Sequence, residues 1–269
     1  MSVLVCVKSV GGAVSPFDEV ATEAALRLRE GRAGAALGLL RVAALGVTLV
    51  AGAAPSAREQ QTLDDERRAL RHALALGADS AAHVVVTGCA THAPDFGPLC
   101  VARAVAAHAA RTHARLVLTG TQSSDRGDGC IPQMTAQTLG WLQCGPATAL
   151  TAAEPAAAAE PKTPVRLRAT VEGAEGPAVR CVALPAVVAC HVRMHTPRIP
   201  KLQCVLRARR APVAEHTVAA ATLFAGTAAT PGGARVVAVR EAPRRERQPQ
   251  LFRTAQQLVD ALQRDGILP

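Results

Sequence analysis

The feature that most constrains this chain is the alternation of short aliphatic runs with longer helix-like segments from Val3 to Leu142. Val3–Val7 is continuously β-branched or aliphatic, the pattern of a strand buried on both faces of a parallel sheet. Ser15-Pro16-Phe17-Asp18 then reads as a helix start. Ser15 stands at the N-cap, Pro16 at the first helical position, and Asp18 faces the positive end of the dipole. This predicts a helix to about Arg32. Val47–Ala51 predicts a second strand, followed by a helix capped by Ser56 that runs to Leu76 and closes at Gly77. His83–Val86 and Leu116–Thr119 predict further strands, and Leu99–His113 and Gln133–Leu142 further helices. Strands alternating with helices imply βαβ crossovers, so the expected fold is α/β with a doubly wound, mainly parallel sheet.

After Thr148 the pattern changes. An Ala/Pro/Glu linker from Ala152 to Pro164 precedes strand-like Arg166–Val171 and Arg180–Val188 with no helix between them, which predicts a hairpin on the sheet edge. Past Val192 the chain turns basic and loop-like. Val236–Val239 reads as a short strand, Arg244–Gln250 as polar and extended, and Thr254–Asp265 as an amphipathic helix. The expected division is an α/β domain over 1–193 and a recognition loop with a C-terminal partner-binding arm over 194–269.

Composition narrows the function classes. Among 269 residues, 49% apolar, there are four Phe, one Trp and no Tyr, so the core is aliphatic and stacking on aromatic platforms is nearly excluded as a way to hold single-stranded nucleic acid. The net charge of +9 comes mostly from Arg and permits an acidic partner or a nucleotide. Eight Cys form no C-x-x-C pair and several lie in apolar runs, so they read as small buried hydrophobes in a reduced compartment. No apolar run reaches membrane-helix length. Met1-Ser2 passing directly into a strand-like run predicts no signal peptide, leaving cytoplasm or an organelle matrix.

Two segments carry chemistry. Leu116–Gly120 feeds a Gly/Ser/Asp loop, Thr121 to Gly129, ahead of a helix. In open α/β sheets ligands sit just beyond the carboxyl ends of strands, where a helix N-terminus offers amides to an anion. The loop alone reads more readily as a solvated connection. Lys8, where the first strand leaves the sheet, is placed either to neutralise a phosphate or to serve as surface charge. Asp64-Asp65-Glu66 reads as the wet face of the long helix. His191 and His195 are not on one helix face and lack a third ligand, and no G-x-S-x-G elbow occurs. These residues favour nucleotide binding over catalysis.

Taken in order, VLVCVKSV, SPFDEVATEAALRLREG, ALALGAD, LVLTGTQSSDRGDGCIPQMTAQTLGWLQ and LPAVVACHVRMHTPRIPKLQCVLRARR closely resemble the β subunit of electron transfer flavoprotein. The resemblance runs from Val3 to about Arg210 and returns at Val236–Ile267. It implies a fold of the adenine-nucleotide-hydrolase-like type and a heterodimer with an α subunit that holds most of the FAD. A structural AMP in the β subunit, and electron passage from acyl-CoA and related dehydrogenases to the quinone pool in fatty acid oxidation, are implied with it, without independent catalytic activity. The AMP site of the family falls on Cys6, on Ser15, Pro16, Phe17 and Asp18, and on the segment with Ser123, Ser124, Asp125, Gly127, Asp128, Gly129, Gln133 and Met134. The dehydrogenase-docking segment falls on Pro197–Leu206 with Leu202 as anchor. Two family lysines become Arg207 and Arg210, and the acidic residue that steers the flavin domain falls on Glu172. The implied compartment is the mitochondrial matrix in a eukaryote and the cytoplasm in a bacterium.

Gly31–Leu45 and Glu59–Arg68 are longer than the family core, and two further departures bear on the cofactors. Only Gly11–Val14 remain where the family carries a hairpin with an aromatic residue near the flavin. In the loop, Gly129-Cys130-Ile131-Pro132 replaces Asn-Gln-Thr-Gly, which deletes side-chain partners for phosphate, and Pro132 deletes one N–H. AMP occupancy is therefore expected to be reduced or lost, with Ile131 and Pro132 filling part of the site. The rival expectation is a structural subunit of a larger respiratory assembly that has lost its nucleotide and redox role.

Overall fold

The computed structural model describes residues 2–31, 41–89, 96–153, 165–225, 238, 240 and 250–268. Two compact units divide the chain, Met1–Arg235 and Val236–Pro269. The first is built on a nine-stranded sheet. Its strands are β1 (Ser2–Cys6), β4 (Arg41–Leu49), β5 (Ser80–Thr87), β6 (Ala114–Gly120), β7 (Leu142–Ala152), β8 (Arg166–Gly173), β9 (Gly176–Ala183), β10 (Ala186–Cys190) and β11 (Ala214–Ala219), and they lie in the order β11-β5-β4-β1-β6-β10-β7-β8-β9. Neighbours from β11 to β7 are parallel, while β8 and β9 add antiparallel strands at one edge. The doubly wound, mainly parallel sheet with an edge hairpin is thus present. A two-stranded ribbon, β2 (Ser9–Val10) and β3 (Ala13–Val14), turns on Gly11 and Gly12, both at positive φ. That turn requires the left-handed region at both centres, which glycine reaches without strain.

The period of two in the strands sorts side chains between two cores. Val3 and Val5, Leu116 and Leu118, and Val188 and Cys190 pack on one face, while Leu4, Val117 and Val187 pack on the other. Helices α1 (Pro16–Glu30) and α2 (Ala57–Leu76) cover the first face. Helix α3 (Phe96–Arg111) covers the second with α4 (Ile131–Leu139). The Ser56 N-cap of α2 closes a full capping box, in which Glu59 accepts the Ser56 N–H at 2.8 Å and donates its own N–H to the Ser56 hydroxyl.

Several elements differ from the sequence reading. β4 starts at Arg41, six residues before Val47, and passes straight through Gly46. α4 ends at Leu139, because Gly140 adopts a left-handed C-cap, and β7 follows where the helix was expected to run to Leu142. The single strand expected over Arg180–Val188 is two, β9 and β10, separated at Leu184-Pro185. The stretch after Val192 contains α5 (Leu202–Arg210), packed on α2, the edge strand β11 beside β5, and α6 (Ala220–Phe224). Of the cysteines, Cys100, Cys144 and Cys190 are buried as expected, but Cys181 is exposed. In the second unit, α7 (Ala255–Arg264) is capped by the Thr254 hydroxyl and carries Leu258 and Val259 on its exposed surface. Most of Val236–Val239, most of Arg244–Gln250 and most of the linker lie outside the described residues. No described helix is long and apolar enough to cross a membrane.

Candidate functional site

At the carboxyl ends of β1, β4 and β6 lies a cavity of about 360 Å³. Asp18, in the first turn of α1, holds its two walls together. One carboxylate oxygen accepts the Lys8 N–H at 3.0 Å and the other accepts the Gly120 N–H at 3.1 Å, so the ends of β1 and β6 are tied to the α1 N-terminus. Gly120 is needed for this approach, since a Cβ there would stand 2.6 Å from Phe17 Cβ and 2.7 Å from the Asp18 carboxylate. Glu66 of α2 performs the matching act on the next residue, accepting the Ser9 N–H at 2.9 Å. Its side chain lies over Gly46, where a Cβ would meet Glu66 Oε1 at 2.5 Å. Two buried carboxyls therefore grip consecutive amides where β1 leaves the sheet.

Burial dominates their electrostatics. It lifts the Asp18 carboxyl to about 7 despite the two N–H bonds that favour its charged form. It lifts Glu66 to about 8, with the Asp18 charge adding to the rise and the Ser9 amide and Lys8 opposing it. Burial also pushes the Cys6 thiol far up, so Cys6 is no thiolate nucleophile. Asp125 behaves oppositely. Burial works against its charge, but the Lys8 ammonium, 2.7 Å away, and a Ser123 hydrogen bond hold it down at about 2.

The structure brings together Cys6, Asp18, Ser123, Asp125, Asp128 and Gly129 on the cavity lining. Ser15 caps α1 from a buried position without a side-chain cap bond, Pro16 and Phe17 form the first turn behind Asp18, and Ser124 and Gly127 lie in the loop without lining the cavity. Gly127 and Gly129 are both at positive φ. Gln133 and Met134 point elsewhere. With its amide nitrogen facing the Gly129 and Cys130 carbonyls, Gln133 fastens the loop, and both residues border a second groove between α3 and α4. Ile131 and Pro132 line the cavity at the start of α4.

Sequence reasoning missed Glu66 and Thr119. Asp64 is exposed as a wet-face residue should be, but Glu66 is 3% exposed, on the stripe of Leu63 and Leu70. That three- and four-residue spacing was the available signal.

The expected docking residues cluster differently. Leu202 opens α5 and is 72% exposed, with Ile199 and Leu206 exposed beside it and Arg207 and Arg210 on the same helix. Arg198 fixes the approach to this helix, bonding Glu23 at 2.7 Å and both oxygens of Glu30 at 2.7 and 2.8 Å on α1. Glu172, on the edge strand β8, is exposed and pairs with Arg193 at 2.8 Å. Among the described residues no group of three or more His, Cys, Asp or Glu is placed to hold a metal ion.

Comparison with known proteins fits this arrangement. A family model described as the electron transfer flavoprotein domain matches residues 3–221. Over 206 residues the chain is 31% identical to electron transfer flavoprotein subunit beta of Sus scrofa, which covers 77% of this chain and 69% of that protein. The same subunit of Bradyrhizobium diazoefficiens is 30% identical over 208 residues, again 77% and 69%. For that of Bos taurus the figures are 31% over 197 residues, 73% of this chain and 65% of the relative. The chain belongs to the electron transfer flavoprotein family, among its β subunits.

Proposed function

We propose that the chain works as the β half of an electron transfer flavoprotein. In this reading an α subunit carries most of the FAD, and the pair takes electrons from acyl-CoA and related dehydrogenases and delivers them to the quinone pool. The observation that carries it is the α5 face: Ile199, Leu202 and Leu206 expose apolar side chains beside the basic run Arg207–Arg210, on a helix whose entry Arg198 clamps to α1. An exposed apolar cluster on a rigid support suits a transient protein contact. FAD supplies the redox chemistry when bound; this chain offers the docking surface, and the arm over 236–269 serves as the partner-binding segment. Exposed Leu258 and Val259 on α7 support that role for the arm. The compartment proposed is the matrix in a eukaryote and the cytoplasm in a bacterium.

A second reading is favoured by the acidity of the cavity: a structural subunit of a larger respiratory assembly without nucleotide or redox role. Co-expression with an α-type subunit separates the two. A co-purifying heterodimer with a flavin absorption spectrum is expected; a colourless complex supports the structural subunit, and a monodisperse monomer contradicts both.

A further inference from the structure

The end of β5 and the start of α3 bring two cysteines together. Cys89 follows β5 by two residues and is half-buried. Its N–H donates to the Val50 carbonyl at 3.1 Å and its Sγ to the Val86 carbonyl at 3.7 Å, so the ends of β4 and β5 hold both its backbone and its side chain. Cys100 lies in the second turn of α3 and is 3% exposed. Cys89 packs on the same apolar cluster that receives Val101 and Val105 of that helix. There the two thiols meet in a hydrogen-bonding contact.

Neither sulfur is poised for fast chemistry. Burial raises the Cys89 thiol to about 11, with Cys100 adding to the rise. Burial also raises Cys100, against the Cys89 hydrogen bond and the charge of Arg103 one turn on, which both favour its thiolate. Only a small fraction of either is thiolate at neutral pH, and a single cysteine in such a place is inert. Contact sets this pair apart. Once one sulfur is oxidised the other already stands beside it, and an intramolecular thiol needs no encounter to displace the leaving group. Exposure divides the roles: Cys89 is the sulfur a solute reaches, and Cys100 the one that closes the bond. Closure brings the sulfurs from hydrogen-bonding contact to about 2 Å, a movement of the size that a χ1 rotation supplies.

We infer that Cys89 and Cys100 form a reversible disulfide, made by exchange with a low-molecular-weight disulfide of the glutathione type and undone by the corresponding thiol. The Cys89 thiolate attacks one sulfur of the oxidant, whose S–S bond breaks and releases one thiolate. The Cys100 thiolate then attacks the Cys89 sulfur and expels the second. The protein gives up two electrons as its S–S bond forms, the oxidant takes both as its own is lost, and the two cysteine protons end on the two released thiols. The product joins the β5 end covalently to α3. Gly97, Pro98 and Val101 of that helix line the cavity, so the bond fixes one cavity wall in the oxidised chain. Nothing in this exchange draws on a flavin or on an α subunit.

The test takes the full chain, purified with any subunit that accompanies it and fully reduced, and incubates it at about pH 8 with excess glutathione disulfide. Free thiols are then alkylated and the protein is digested with trypsin. Both cysteines fall in one tryptic peptide, His72–Arg103, which contains no other cysteine and no internal Lys or Arg. The expected result is a peptide lighter by two hydrogen atoms that takes up no alkyl group. Treatment with dithiothreitol before alkylation should return it to the doubly alkylated form. Cys100→Ala should stop one step earlier, with glutathione on Cys89. A parent peptide that stays doubly alkylated, that carries glutathione without an internal bond, or whose cysteines bond to a third cysteine overturns the inference. The parent map needs no variant, so the test stands even if Cys100→Ala does not fold.

Discussion

The cavity and the α5 face break the usual partition of residues in opposite directions. Inside, Asp18 and Glu66 are carboxyls buried at 7% and 3% exposure; outside, Ile199 and Leu202 are apolar side chains at 92% and 72%. Each exception is held by a rigid neighbour. Backbone amides of Lys8, Ser9 and Gly120 grip the carboxyls, and Arg198 anchors the segment that leads to the leucine. Residues that break the partition this far are the ones whose place is set by more than fold stability.

The largest expected effect breaks the inner region. Gly120→Ala forces a Cβ against Phe17 and the Asp18 carboxylate, and the obstruction includes the Phe17 backbone carbon at 3.2 Å, which no rotamer change relieves. A loss of ~3 kcal/mol is expected from overpacking of this kind, read as a denaturant midpoint shift at unchanged slope. A loss below ~0.5 kcal/mol would show that the two strand ends are not rigidly joined.

Arg198→Ala comes next and sharpens the outer region. Glu23 is 3% exposed and would keep only Arg27, 2.7 Å away, among its present cationic partners. Since Arg198 is itself one-third exposed, the loss is placed at ~1–2 kcal/mol. Arg198→Lys should recover part of the stability but not the fork that spans Glu23 and Glu30. Full recovery by Lys would contradict the clamp.

The contrast between these regions explains what was legible in the sequence. Val3–Val7 and Leu116–Thr119 announced central strands because both faces are buried, and the Ser56 and Gly77 boundaries of α2 follow local capping chemistry. Leu202 was readable because a leucine between Lys201 and Gln203 stands out in its own neighbourhood. Glu66 was hidden by that same logic: Asp64 and Asp65 precede it, and only the groove at Gly46, twenty positions earlier in the sequence, makes room for it. The strand expected from the sequence accordingly began only after Gly46, at Val47. β11 was unreadable for a related reason, since its half-exposed residues owe their strand to pairing with β5.

A smaller effect has the opposite sign. The raised values of Glu66, about 8, and Asp18, about 7, mean that the folded chain holds protons the unfolded chain has released. Their contribution is fully present below about pH 4 and is lost as pH rises through 7 to 8. Glu66→Gln removes one of them, so the variant should melt higher than the parent at pH 8.5, by about 2–5 °C, and the gap should close toward pH 5. His83 and His108, both held near 4 chiefly by burial, weaken parent and variant alike as pH falls below 6.5, so the difference between the two is the quantity to read. A gap independent of pH would place the Glu66 carboxyl in contact with water.

The smallest effect on stability belongs to Leu202→Ala, within about 0.5 kcal/mol for an exposed side chain, and it carries the most direct test of the electron-carrier account. The measurement is the rate at which an acyl-CoA dehydrogenase reduces the flavin of the heterodimer, compared between parent and Leu202→Ala, with melting temperatures alongside. The account predicts at least a tenfold slower reduction at an unchanged melting temperature. Equal rates, or a rate loss that tracks a loss of stability, would contradict it.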